Sequence, residues 1–325
     1  MAPPPAAGAR PRVLATRRFA PPVRDRLARA FDLDEHAEDE VMPRAALLAR
    51  AEGRDGLMVT PGDRVDAELL DRAGPGLRVV ATLSVGLDHV DLAAARARGV
   101  AVAYTPDVLT AATAELAIAM TLALLRRVAE GDRLIRARRP WRLAPEFMLG
   151  HSVAGRVFGC VGYGRIGREA ARMAAALGMR AVHTGRRDTG EPGWLPFPDL
   201  LARADVVSLH CPLTPGTRHL IDAAALARMR PEAVLVNTAR GPVVDEAALV
   251  DALRAGRIAG AALDVFEHEP EVHEGLLGLE NVVLVPHLGS ATVEARTAMG
   301  MLCADALEDV LVTGRRPANL APGSG

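Results

Sequence analysis

The chain contains no lysine: all 39 positions in the Lys/Arg class are arginine. That absence excludes a Schiff-base lysine, and with it any phosphate loop that ends in Gly-Lys-Ser or Gly-Lys-Thr. Cysteine is scarce as well. Cys160, Cys211 and Cys303 are widely spaced and odd in number, with no CxxC pair and no zinc-type spacing, so a reducing cytoplasm is the expected setting. No basic block is present that could track a phosphate backbone, and the formal net charge is only -1, so nucleic acid is not an expected partner. A membrane is not expected either. The longest apolar stretch, 111–125, is interrupted by Glu115 and falls short of the roughly 20 residues a span requires. The opening MAPPPAAGARPR, rich in proline and alanine, has no charged leader followed by an apolar segment and reads as a disordered tail over 1–11 rather than a signal peptide.

What is present is the composition of a folded protein, with half of its residues hydrophobic and a length of 325 residues that favours two domains. Short β-branched runs alternate with Ala/Leu/Arg helical patterns, the grammar of α/β layers built on parallel sheets. Strands are expected at 12–17, 56–61, 78–84 and 100–105. Pro106-Asp107 then breaks the pattern, and a long helix is expected under an Asp107 cap, running to about Arg127. Residues 129–150, with Pro140, Trp141 and Pro145, show no clean period and read as a loop-rich arm. A second strand series follows at 157–162, 180–185, 205–210, 233–238, 259–265 and 281–286, and a last helical pattern runs from Ala291 to about Val312.

The segment GYGRIG, Gly162 to Gly167, fits G-x-G-x-x-G and stands after an apolar strand and at the opening of a helix. Gly162 permits the tight turn, Gly164 lets the backbone approach a pyrophosphate, and Gly167 lets helix and strand pack closely. The helix N-terminus offers free N–H groups and partial positive charge to the anion. The end of the next strand decides between cofactors. NAD enzymes place an acid there for the ribose 2′-hydroxyl, but here Gly185 occupies the position, followed by Arg186 and Arg187. Two guanidinium forks suit a 2′-phosphate, so NADPH is the preferred cofactor expected, with NADH as the alternative. Asp188 is the carboxylate that a rearranged loop would bring back toward the ribose.

Three polar clusters lie at strand ends in the same half: VNTARG with Arg240, DVFEHEP with Glu269 and VPHLGSAT with His287. Reduction of a 2-keto acid uses this set. The arginine pairs with the substrate carboxylate and polarises the carbonyl, the histidine donates a proton as hydride arrives, and the carboxylate supports the charged histidine.

Together VGYGRIG, HCPLTPGTRHLI, VNTARGPVVDEAAL, GAALDVFEHEP and NVVLVPHLGSAT resemble the D-isomer-specific 2-hydroxyacid dehydrogenases, over about Val13 to Val312. The segments SVGLDHVDL, YTPDVLTAATAELA and PEFMLGHSVAGRVFG are most similar to those of glyoxylate/hydroxypyruvate reductases. The resemblance implies two doubly wound domains, a Rossmann-like cofactor domain over 106–287 inserted into a flavodoxin-like substrate domain made of 12–105 plus 288–318, with a tail at 319–325. It implies Arg240, Glu269 and His287 as the catalytic set, and Val85 and Gly86, with Arg240 and His287, as the substrate contacts. Gly164, Arg165 and Ile166 would meet the pyrophosphate, Asp264 and Gly289 would lie beside the nicotinamide, and Pro212 and Thr238 would wall the cofactor. A homodimer through the cofactor domain and its arm is implied, with Trp141 in the arm either packed or reaching a neighbouring site.

Other features have plainer readings. HEPEVH, 268–273, holds two histidines and two glutamates, but its proline prevents a helical ligand pair, and no metal is expected. His89 is read as fixing a turn, and His210 and Cys211 as packing residues. His183 and His219 carry no signal. Two other functions remain open on sequence: a formate- or phosphite-type dehydrogenase, and a dinucleotide-sensing module like the corepressors that share this fold.

Overall fold

The computed structural model describes residues 10–323, and these form two compact units: one runs to Leu109 and resumes at Thr292, and the other is Thr110–Ala291. The first holds β1 (Arg12–Ala15), β2 (Asp32–Glu35), β3 (Gly56–Val59), β4 (Val79–Thr82) and β5 (Ala101–Ala103). They form an all-parallel sheet in the order β2-β1-β3-β4-β5, the flavodoxin-like winding. Its inner strands β3 and β4 are buried along their whole length, as strands covered by helices on both faces must be. One core gathers Leu14, Leu57, Val80 and Val102. On the other face Val13, Met58 and Val79 pack with Cys303 and Leu307 of the helix Val293–Glu308, so the end of the chain completes the unit its beginning started.

The second unit holds β6 (Val157–Val161), β7 (Arg180–Thr184), β8 (Val206–Leu209), β9 (Val234–Asn237), β10 (Gly260–Leu263) and β11 (Val282–Leu284). The parallel order is β11-β10-β9-β8-β6-β7, so the winding reverses between β6 and β8. At such a point the strand ends leave a crevice. The helices Thr110–Leu125 and Arg165–Ala176 cover one face through Ala114, Ala117, Ala170 and Ala174 against Phe158, Val206 and Val236. Alanine at these contacts lets helix and sheet approach closely.

Several expectations are corrected. The long helix starts at Thr110 rather than under Asp107, because Asp107 takes a left-handed conformation, φ 71°, that cannot begin a helix cap. The division between units falls after Leu109 and after Ala291 rather than at 105/106 and 287/288. The helix Val128–Arg136 occupies the start of the expected loop-rich arm, 129–150, steadied by the Arg127–Glu130 and Asp132–Arg136 ion pairs. Both expected tails are tied in where they are described. Pro11 O accepts Asp32 N–H at 2.9 Å, and Asn319 bonds Tyr104 through Tyr104 N–H at 3.0 Å and its own Nδ2 at 2.7 Å; the remainder of each tail lies outside the described residues.

Candidate active site

The phosphate loop follows from three glycines with different tasks. Gly162 leaves β6 at φ 96°, and a Cβ there would sit 2.7 Å from Cys211 N. At Gly167 a Cβ would lie 2.2 Å from Gly162 O, so the helix Arg165–Ala176 can lie against the turn only without one. Gly164, the residue before that helix, is different: its Cβ would meet no described atom within 4 Å. The result is an open cradle at a helix N-terminus, where N–H groups with no carbonyl of the helix to pair with favour an anion. Ile166 packs into the sheet core beneath. The Thr238 hydroxyl is buried without a hydrogen-bond partner among the described residues, an orphan that a bound group would satisfy. Pro212 follows β8 and is held by Thr217 Oγ1, which donates to its carbonyl at 2.7 Å.

Beyond the cradle a cavity of about 370 Å³ is lined by Tyr163, Arg168, His183, Arg186, Arg187 and Trp194, among others. Arg186 and Arg187 therefore face a hollow next to the phosphate loop. Asp188 is turned into its own loop, where its Oδ1 accepts Gly190 N–H at 2.8 Å. The residues fit a dinucleotide, and the doubled guanidinium fits one with an extra phosphate.

The polar cluster is assembled by neighbouring strand ends. After β9, Asn237 Oδ1 accepts Ala239 N–H and Asn237 Nδ2 donates to Arg240 O, both at 3.0 Å, which shapes the turn that carries Arg240. Gly241 then passes directly beneath the β10 exit: a Cβ there would fall 1.8 Å from Phe266 O. Past β10, buried Asp264 accepts Leu288 N–H at 2.5 Å and Gly289 N–H at 2.9 Å, while His287 N–H donates to its carbonyl at 2.9 Å. Burial pushes the Asp264 carboxyl above the ordinary range, against the pull of these N–H groups. His287 itself adopts φ 53°, a strained conformation for a side-chain-bearing residue that the Asp264 bonds hold in place.

Glu269 joins this cluster through both oxygens. Oε1 accepts Phe266 N–H at 3.0 Å, and Oε2 accepts His287 Nδ1 at 2.8 Å. An ionised carboxylate is acceptor only, so Nδ1 carries the proton of that bond and Nε2 remains for exchange. Burial alone would raise the Glu269 carboxyl, but the His287 bond and charge, Phe266 N–H and the Arg240 charge outweigh it, leaving it below the usual range.

Arg240, Asp264, Glu269, His287 and Gly289 are thus neighbours in the second unit. The carboxylate of Asp264, expected beside the nicotinamide, has both oxygens engaged by the 288–289 backbone. Val85 and Gly86 lie in the first unit, on a turn fixed by Ser84 Oγ donating to Gly86 O at 2.7 Å and by Thr82 Oγ1 bonding His89 Nε2 at 2.8 Å. Sequence reading passed over Tyr163, Arg168, His183 and Trp194. The signal available for Tyr163 was its place inside G-x-G; for the others only the folded path of the 185–194 loop brings them to one cavity.

A model described as the D-isomer specific 2-hydroxyacid dehydrogenase, NAD binding domain, matches residues 118–289. The chain belongs to the D-isomer-specific 2-hydroxyacid dehydrogenase family. This dehydrogenase is 43% identical over 305 residues to a glyoxylate reductase of Thermococcus onnurineus, covering 91% of each chain. Its fold matches that of a Thermus thermophilus protein at TM-score 0.91 and 46% identity, over 95% of this chain and 99% of that one. It also matches an NADPH-dependent glyoxylate/hydroxypyruvate reductase of Sinorhizobium meliloti, solved with NADP and malonate, at TM-score 0.84 and 35% identity over 97% and 98% of the two chains. It is an NAD(P)-dependent oxidoreductase, and among the described residues no helix is long and apolar enough to cross a membrane.

Proposed function

We propose that this dehydrogenase reduces small 2-keto acids, glyoxylate to glycolate and hydroxypyruvate to D-glycerate, with NADPH as its preferred cofactor. The observation that carries the reading is the His287–Glu269 pair, held at 2.8 Å with Arg240 close enough for its charge to act on Glu269. The likeness to glyoxylate reductases supports the substrate class, and the arginine-lined cavity beside the phosphate loop supports the cofactor.

A nicotinamide cofactor would be held by the cradle of Gly162, Gly164, Arg165, Ile166 and Gly167, with Pro212, Thr238, Asp264 and Gly289, and would supply the hydride. Arg240 binds the substrate carboxylate and draws electron density from the carbonyl. His287, charged and supported by Glu269, gives its Nε2 proton to the carbonyl oxygen as that oxygen gains negative charge. Asp264 keeps the 287–289 turn in register, so the proton donor cannot drift by the ångström that would slow transfer.

The protein acts in the cytoplasm as a homodimer. Trp141, Leu143, Phe147 and Leu149 of the arm are exposed, Leu143 by 96%, a cluster that a second copy would cover. Light scattering should return twice the chain mass. The decisive experiment for the reaction is steady-state kinetics over glyoxylate, hydroxypyruvate, pyruvate, formate and phosphite with both cofactors. The highest kcat/KM should belong to glyoxylate or hydroxypyruvate with NADPH; turnover of formate or phosphite without glyoxylate reduction would overturn the reading.

A further inference from the structure

We propose that Arg168 is a third guanidinium of the 2′-phosphate pocket, added from the helix side of the cavity that Arg186 and Arg187 line. The inference rests on the NADPH reading above and assigns that site a specificity-determining residue outside both the glycine motif and the arginine pair.

Arg168 sits in the first turns of the helix Arg165–Ala176, directly after the last glycine of the motif. Its Cζ lies 4.5 Å from the centre of the Tyr163 ring, and that ring stacks on His183 at 3.7 Å with an 8° tilt. His183 is 3% exposed, so the stack rests on the sheet and gives the guanidinium a rigid floor. Glu191 grips Arg168 from the far side, accepting from both Nη1 and Nη2.

This ion pair also fixes the loop that carries the other two arginines. At its base, His183 N–H donates to Gly193 O at 2.9 Å and Leu195 N–H donates to His183 O at 2.8 Å. Farther out, the Arg168–Glu191 pair ties the loop to the helix. Arg168, Arg186 and Arg187 therefore line one cavity of about 370 Å³ from two elements. An exposed Arg–Glu pair is worth little to stability, and a guanidinium has five donors, so the two that Glu191 takes leave others for a phosphate oxygen. Asp188, whose carboxylate is turned to Gly190 N–H, does not compete for them.

The test is calorimetry on the full chain with adenosine 2′,5′-bisphosphate and adenosine 5′-monophosphate, ligands that differ only in the 2′-phosphate. Wild type should bind the bisphosphate more tightly. Arg168→Gln should weaken the bisphosphate about tenfold, the loss of one charge-assisted contact, and leave the monophosphate within about twofold. An unchanged bisphosphate-to-monophosphate ratio in Arg168→Gln, alongside a collapsed ratio in Arg186→Ala/Arg187→Ala, would overturn the role of Arg168 while keeping the NADPH reading. A wild type without any preference for the bisphosphate would overturn both.

Discussion

His287 Nδ1 donates to Glu269 Oε2 at 2.8 Å, and the other oxygen of the same carboxylate is occupied by Phe266 N–H at 3.0 Å. The carboxylate is therefore fixed by the backbone of its own loop before it meets the imidazole. That order matters: a glutamate held at both oxygens sets the plane and the tautomer of the ring instead of following it.

Glu269→Gln removes the charge and one of the two acceptors, since the amide turns its NH2 to Phe266 N–H when its oxygen serves the ring. In Glu269→Gln the amide oxygen can still accept from Nδ1, but it no longer favours imidazolium. The proposed proton donor then keeps its ring but loses its negative neighbour, so kcat for glyoxylate should fall about tenfold. Steady-state kinetics, with unchanged cofactor affinity as the control, reads the loss; a wild-type kcat would remove Glu269 from support of the proton donor.

Gly241→Ala tests the seam between the Arg240 turn and the Glu269 loop. A Cβ at 241 would lie 1.8 Å from Phe266 O and 2.5 Å from Glu267 N, backbone atoms that cannot rotate away. Overpacking of this kind costs about 1–3 kcal/mol or more, so urea unfolding should show a lower midpoint at unchanged slope. Because Phe266 N–H anchors Glu269, kcat should fall with it. Wild-type stability would mean that the two turns separate freely.

His210 follows β8, with Nε2 bonded to Ser208 Oγ at 2.9 Å and Nδ1 enclosed without a partner among the described residues. Burial pushes its imidazole down to about 4, from an ordinary value of 6.5. The unfolded chain thus binds the proton across this window while the folded chain refuses it, so stability falls as pH drops from 6.5 to 4, by up to roughly 3 kcal/mol. In His210→Asn, which retains a partner for Ser208, the loss in thermal midpoint over that range should be shallower. Asp264 and Glu246, both raised by burial, act with the opposite sign but equally in both proteins. Parallel curves would contradict the assignment.

The apolar strands and the glycine motif were legible because each obeys a local rule: an unbroken apolar run marks a strand buried on both faces, and glycine marks a backbone too crowded for Cβ. β2 was not, because its sequence DLDE has neither run nor alternation. It is an edge strand whose Asp34 is neutralised by Arg50 and Arg54 from other segments. The helix at 128–136 was hidden by the prolines that follow it. Within the site, Arg240, Glu269 and His287 were readable as strand-end polar residues. The second bond of Glu269, the Asp264 clamp and the meeting of Arg168 with Glu191 depend on loop paths between residues far apart in sequence, and no spacing encodes them.

We propose that His287 delivers the proton during reduction of a 2-keto acid. Its most direct test is kcat for glyoxylate with NADPH in His287→Ala beside wild type, with the dissociation constant of NADPH measured on the same samples. The predicted result is a fall in kcat of about 10²–10⁴, the usual worth of a positioned acid, at unchanged cofactor affinity. A variant that turns over at the wild-type rate would rule His287 out as the proton donor.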